Sequence, residues 1–397
     1  LAGNHVVLLR NQEEARRALE DIGVDPGAYP YLLPKAEFYC LKLKNIPSRA
    51  ATIIKQEMLS KGGEAAVSRQ AISGEGTSDV LLMGTLKQYR LLIPKLKVQP
   101  FGLKKIAADI EKILSSMKRT EQIIDLPHGK QLKLGDRTLI MGILNVTPDS
   151  FADGGKYLDP YRAVERAREI VSQGADIIDI GGVSSRPDSI MASEEEELKR
   201  LLPVVDKLAQ ENIIISIDTF RSRVAQACLE RGAHIINDIG SLQLDNRLLP
   251  VLVKNQTPVI LMHNRMHLRK EQPYQDFIAD AIGELEDAIR NATSAGLAED
   301  KIIIDPGIGF VNSVARDRLI LKQLYAFRSL GKPILLGASR KRFIGETLGL
   351  EVEERLEGSL AAVAIGIMNG ADIVRVHDVI ASKRVATMVD AVIRENG

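Results

Sequence analysis

Apolar residues in the C-terminal two-thirds of the chain come in short β-branched runs that do not alternate with polar ones. They read LIMGIL (139–144), DIIDI (176–180), IIISI (213–217), HIINDI (234–239), PVILM (258–262), KIIID (301–305), PILLG (333–337) and DIVRV (372–376). Such runs suit strands buried on both faces. Amphipathic helical patterns lie between them, among them YRAVERAREIVSQGA and RLEGSLAAVAIGIMNGA, and several close on a Gly-Ala pair fit for a helix C-cap. Eight strands with helical crossovers over about 260 residues predict an α/β fold of the (β/α)8 TIM-barrel type. A doubly wound open sheet is the alternative, but it would gather polar residues near one switch point. Here every strand carries them at its C-terminal end.

The first 120 or so residues lack this rhythm. The patterns predict strands at 5–9, 37–44, 65–69 and 78–83, and helices at 12–21, 47–61, 85–93 and 102–117. This is a smaller α+β domain over residues 1–120, ahead of a barrel over 121–397, with the boundary between Arg119 and Gly135. Gly74-x-Gly76 is its main glycine cluster and reads as a turn. No chemistry in this domain suggests a role.

Composition narrows the partners. At 397 residues, 45% hydrophobic and 26% charged, the chain is an ordinary globular protein too long for one typical domain. A net charge of +1 gives no field to attract nucleic acid or an anionic membrane, so ligands are expected to be small molecules held locally. Cys40 and Cys228 form no disulfide framework and no metal-ligand spacing. With no apolar run of about 18 residues and no signal-peptide pattern, the expected location is the cytoplasm.

The strand ends carry the chemistry. The segment Met141–Phe151 (MGILNVTPDSF) runs from a strand into a loop with Asn145, Thr147, Pro148, Asp149 and Phe151. The following strands end at Ser184-Ser185-Arg186-Pro187, Asp218-Thr219, Asn237-Asp238 and His263-Asn264-Arg265. The last three end at Asp305, at Ser339-Arg340-Lys341-Arg342, and at Arg375, His377 and Asp378. Taken singly, each has a plain reading: Asp305 as a turn cap, His263 as a satisfied histidine, 339–342 as a solvated helix start. Buried strand ends do not gather so many ionisable groups without use. Asp218, Asn237 and Asp305 suit the N–H donors of a flat amino-pyrimidinone heterocycle, with Lys341 donating to its acceptors. Arg186, Arg375 and His377 with Asn145 suit a diphosphate. The pair of ligands points to transfer of a heteroaryl-methyl group with pyrophosphate leaving.

Residues 137–397 closely resemble the dihydropteroate synthase family of pterin-binding barrels. The matching segments are MGILNVTPDSFADGG, DIIDIGG-x-S-S-RP, ISIDT, IINDI, LMHN, DPGIGF, GASRKRFIG and RVHD, in order along the whole barrel. The resemblance implies condensation of 6-hydroxymethyl-7,8-dihydropterin diphosphate with p-aminobenzoate to give 7,8-dihydropteroate and pyrophosphate. It implies a pterin clamp of Asp218, Asn237, Asp305 and Lys341, and a diphosphate and Mg²⁺ site of Asn145, Arg186, Arg375 and His377, with Asn145 on the metal. Ser185, Pro187, Phe310 and Arg342 would border p-aminobenzoate, together with Phe151. A homodimer is also implied. The family's GGESTRPG reads GGVSSRPD here, with Val183, Ser185 and Asp188 as departures, and Val311-Asn312 stands where Gly-Lys is common. Two alternatives are a methyltransferase using methyltetrahydrofolate, which needs the clamp but no diphosphate site, and an inactive pterin-binding scaffold.

Overall fold

The computed structural model describes residues 3–9, 11–118, 121–147, 159–183, 192–265 and 273–394. The chain divides into two compact units, Leu1–Ser115 and Ser116–Gly397.

In the first unit, helices Gln12–Ile22 and Tyr29–Ala36 precede strand β1 (Phe38–Pro47), helix Ser48–Ser60, β2 (Glu64–Val67) and β3 (Thr77–Thr85). Helices Leu86–Lys97 and Leu103–Ser116 follow. The sheet is antiparallel in the order β1-β3-β2. Alternation along β3 buries Ser78, Val80, Leu82 and Gly84. Val80 and Leu82 join Ile54 and Met58 of one helix, and Tyr89, Leu92 and Ile110 of others, in one core. One expected strand is absent among the described residues and one helix was not expected. Residues 4–9 form no strand: among the described residues that segment pairs with nothing, and its Val6, Val7 and Leu8 stay exposed. The helix Tyr29–Ala36 was hidden by its prolines; Pro30 falls in the first turn, where a missing N–H costs nothing, and Pro34 gives up one bond.

The second unit opens with a hairpin, β4 (Gln122–Asp125) and β5 (Gln131–Leu134). Eight parallel strands follow: β6 (Leu139–Asn145), β7 (Ile177–Gly181), β8 (Ile214–Asp218), β9 (Ile235–Asp238), β10 (Val259–Met262), β11 (Ile302–Asp305), β12 (Leu335–Leu336) and β13 (Ile373–Val376). Their order is β11-β10-β9-β8-β7-β6-β13-β12, and a parallel bridge between Ile304 and Ile334 brings the ends together as a TIM barrel. Helices cross over between successive strands, and three of them end on the expected Gly-Ala pair. There the alanine N–H returns five residues: Ala175 to Ile170, Ala233 to Cys228, Ala371 to Gly366. Strand residues facing the helices, such as Ile178, Ile215 and Ile304, form the larger core.

Residues facing inward form a second core of Met141, Ile177, Ile235, Ile260, Ile303, Leu335 and Ile373. Ile124, Leu126, Leu132 and Leu134 of the hairpin belong to that same cluster, so the hairpin plugs the N-terminal end of the barrel. The segment 122–134, at the start of the expected barrel domain, thus supplies a hairpin that the sequence pattern did not predict. Polar clasps hold it in place: Lys130 donates to the carbonyls of Glu211 (3.2 Å) and Ile213 (2.6 Å), and Lys301 to that of Asp125 (2.5 Å).

A fragment beginning at Glu121 keeps the plug and is expected to unfold cooperatively, whereas one beginning at Gly135 is expected to be much less stable. In the longer fragment Ile124→Ala should cost about 2–5 kcal/mol, as for other buried isoleucines. Urea denaturation checks both, and an unchanged midpoint for Ile124→Ala would rule out the plug.

Candidate active site

Side chains two residues apart on a strand share a face, so each apolar inward residue is followed by a second inward residue nearer the C-terminal mouth. In this upper layer Ile177 gives way to Asp179, Ile235 to Asn237, Ile303 to Asp305 and Ile373 to Arg375. On β8 the sequence Ile214, Ser216, Asp218 carries polar groups through two levels. The barrel interior thus changes from hydrocarbon to charge within one strand repeat.

Arg375 organises the charged layer. Its Nε donates to Asp179 Oδ2 at 2.6 Å and its Nη2 to Asp218 Oδ2 at 2.8 Å. Asn237 Nδ2 donates to the same Asp179 oxygen at 3.0 Å. A Cβ at Gly337, just past β12, would lie 3.7 Å from Asp305 Oδ2, 3.8 Å from Lys341 Nζ and 3.9 Å from Arg375 Cβ. A Cβ at Gly181 would lie 3.5 Å from Asn145 Oδ1 and 3.8 Å from Asp218 Oδ2. Asp218, Asn237, Asp305, Lys341, Arg375 and Asn145 therefore converge on one mouth. The two expected groups, one for a heterocycle and one for a diphosphate, are not separate in space, because Arg375 is tied to Asp218.

The loop after β11 is shaped to admit Lys341. Asp305 Oδ1 accepts the Gly307 N–H at 2.8 Å, and Asp317, buried on helix Val314–Lys322, accepts the Gly309 N–H at 2.6 Å. Gly307 has φ +79° and faces the His263 carbonyl, which a Cβ would strike. Gly309 has φ +87°, and a Cβ there would come within 2.7 Å of Lys341 Cδ. Only glycine meets both demands. Lys341 Nζ donates to the Ile308 carbonyl and lies 4.9 Å from the centre of the Phe310 ring.

Other expected residues stand further out. His377 Nδ1 lies 3.0 Å from Ser339 Oγ, and Arg340 pairs with Asp378 at 2.6 Å, which joins the loops after β12 and β13. Arg342 begins the helix Arg342–Leu348, is 59% exposed and pairs with Glu346 at 3.4 Å. The structure does not bring it to the charged layer. His263 is buried against Glu284, which also binds Arg265. Phe151, Ser185, Arg186 and Pro187 lie outside the described residues, as does Asp188. Asp179 was missed altogether. Its signal was present: an acid in the middle of IIDI, a run otherwise fit for burial on both faces.

Burial sets the electrostatics. It pushes Asp218 up to about 7, against the pull of Arg375 and with the help of Asp179. It also raises Asp305, which Lys341 partly offsets. Lys341 is drawn down to about 8 by burial, against the attraction of Asp305. For Arg375 burial opposes the charge, and Asp179 and Asp218 outweigh it. Three acids thus face two bases, an excess of acceptors suited to a ligand edge rich in N–H donors.

A family model for pterin binding enzymes matches residues 141–377. Dihydropteroate synthase of Bacillus subtilis is 45% identical over 267 residues, which span 67% of this chain and 92% of that protein. A crystal structure of dihydropteroate synthase from Clostridium difficile, obtained in the presence of pteroic acid, superposes with a TM-score of 0.63 at 42% identity. It covers 66% of this chain and 99% of its own. A probable bifunctional folylpolyglutamate synthase/dihydropteroate synthase of Haloferax volcanii is 36% identical over 93% of this chain, which spans 45% of that protein. That match reaches into the N-terminal unit.

The opposed shifts of Asp218 and Lys341 predict a narrow bell in the pH dependence of kcat/KM. The acid limb follows ionisation of Asp218 through about 7, and the alkaline limb follows loss of the Lys341 charge through about 8. Asp218 acts on stability with the opposite sense. Its contribution is complete below its unfolded value of 3.8 and is lost as pH rises through about 7. A wild-type rate profile that is flat between about pH 6 and 9 would contradict the assignment.

Proposed function

Because the chain belongs to the dihydropteroate synthase family, we propose that Asp218, Asn237, Asp305 and Lys341 hold the pterin at the barrel mouth. The enzyme is a transferase of folate biosynthesis: it joins 6-hydroxymethyl-7,8-dihydropterin diphosphate to p-aminobenzoate and releases 7,8-dihydropteroate and pyrophosphate. The observation that carries the residue assignment is the surplus of buried acceptors over bases at the mouth. An amino-pyrimidinone edge supplies the N–H donors that such a surplus lacks.

The chemistry asks little more of the protein. The bond from the exocyclic carbon to diphosphate breaks, and the electron-rich dihydropterin stabilises the cation that develops. The neutral aryl amine then forms the new C–N bond and loses a proton, so no strong base is required. What the site must do is fix the pterin and match the charge of the leaving group. In this reading Asn145, Arg186 and His377 face the diphosphate, and Arg375 links them to the clamp through Asp218. Ser185, Pro187, Phe310, Arg342 and Phe151 border p-aminobenzoate.

Mg²⁺ belongs to the same proposal. Asn145 offers one neutral amide oxygen at the end of β6, beside Asp218. That donor fits a cation that takes the rest of its shell from diphosphate oxygens and water. When bound, it would neutralise part of the leaving group's charge. A homodimer is supported by the apolar side chains exposed on two outer helices, Ile365 and Met368 on Leu356–Met368, and Ile380, Met388 and Val392 on Val379–Arg394. A cytoplasmic location accords with the exposed free Cys40, and among the described residues no helix is long and apolar enough to cross a membrane.

Purified protein given the pterin diphosphate, p-aminobenzoate and Mg²⁺ should release pyrophosphate and dihydropteroate in equal amounts. Asp305→Asn is expected to weaken binding of 6-hydroxymethyl-dihydropterin by about 1.5–3 kcal/mol, the worth of one charge-assisted contact. Arg375→Ala should also weaken it, because Asp218 loses its partner, and should lower turnover further by leaving the diphosphate unmatched. Calorimetry with the truncated pterin, alone and with pyrophosphate, separates the two effects. Wild-type affinity in Asp305→Asn would remove the clamp assignment.

A further inference from the structure

We propose that Asp179 is a positioning residue of this reaction, acting on the pterin through Arg375 and Asn237. Its carboxyl group is fully buried in the barrel interior, on the middle residue of β7. One oxygen, Oδ2, receives both Arg375 Nε at 2.6 Å and Asn237 Nδ2 at 3.0 Å. Those two side chains come from β13 and β9, on either side of β7 in the sheet, so one oxygen ties three strands at the level where the clamp begins. The bond to Asn237 also fixes which way the amide faces. With Nδ2 committed to Asp179, the amide oxygen is left as the group that can accept from a ligand. The bond to Nε fixes the plane of the guanidinium and leaves Nη2 to reach Asp218 at 2.8 Å.

The arrangement explains why an acid occupies a strand otherwise built of isoleucine. Its register partner on β6 is Ile143 and on β8 is Ser216, so no neighbouring strand residue at that level supplies a countercharge. Arg375 supplies it from across β6. Asp179 would not touch the pterin; without it Asn237 is free to flip, and Arg375 is free to swing toward Asp218 alone. Asp176, three residues earlier on the same run, serves as a contrast. It binds Arg137 at 2.6 Å and the Ile140 N–H at 2.9 Å, at the opposite end of the barrel from the mouth.

The inference rests on the proposed pterin clamp, and the experiment keeps the two apart. Binding of 6-hydroxymethyl-dihydropterin is measured by calorimetry for wild type, Asp179→Asn, Asp176→Asn and Asp305→Asn, with the thermal midpoint of each. Asp179→Asn should weaken the pterin about tenfold or more, while KM for p-aminobenzoate changes little. Asp176→Asn should lower the midpoint with pterin affinity unchanged. If Asp305→Asn weakens binding and a folded Asp179→Asn does not, the positioning role is overturned and the clamp stands. If Asp305→Asn also binds normally, the clamp itself falls. Should Asp179→Asn fail to fold, the wild-type protein gives the answer by nitrogen-15 NMR of the arginine Nε–H groups, with Arg375→Lys as the assignment control. A slowly exchanging Arg375 Nε–H that persists when pterin is added supports the role, and a rapidly exchanging one overturns it.

Discussion

The ion pairs from Arg375 to Asp179 and Asp218 are the interaction around which this barrel is arranged. A guanidinium cannot shed its proton to escape burial, so it must be matched where it stands. Two strands supply acids, and Asn237 satisfies one of them further. The pairing staggers these groups, with Arg375 beside Met141, Asp179 beside Ile143 and Ser216, and Asp218 beside Asn237, and the tilt of the barrel strands brings them together. Below that level the interior is hydrocarbon, closed by the hairpin from Gln122 to Leu134. The apolar floor keeps water from reaching the charged layer from beneath.

The same geometry accounts for the acid–base character of the mouth. Burial raises Asp218 and lowers Lys341, bringing both within reach of neutral pH. Neither shift serves proton transfer in the reaction proposed. Both follow from burial, which raises Asp218 with the help of Asp179 and lowers Lys341 against the pull of Asp305. Chemistry in which a good leaving group departs from a stabilised carbon can be run by positioning and charge alone.

Much of this was legible in the chain. Eight Ile/Val-rich runs, none alternating, gave eight strands, because both of their faces are covered. Asp218, Asn237 and Asp305 were legible because each sits at or beside a strand end, where polarity interrupts a buried run, and Lys341 because it lies in the basic segment that follows β12. Asp179 lies inside such a run rather than at its end, so its acidity is its one mark in the sequence. The hairpin was hidden for another reason: QIID and QLKL are four-residue strands beside Pro127, and only the barrel floor gives them a surface to bury. The segment at 5–9 has strand composition and no strand, since pairing is decided by partners that local sequence does not specify. Joining Arg375 to the pterin side was likewise a matter of side-chain reach across the barrel.

A crystal structure with 6-hydroxymethyl-7,8-dihydropterin bound would decide whether the charged layer is the pterin site. The ring's amino and N–H groups should lie within hydrogen-bond distance of Asp218, Asn237 and Asp305, with Lys341 on its acceptors and the Arg375–Asp179 bond intact. A ring lodged instead against Phe310 and Arg342 at the rim, with the buried acids untouched, would contradict it.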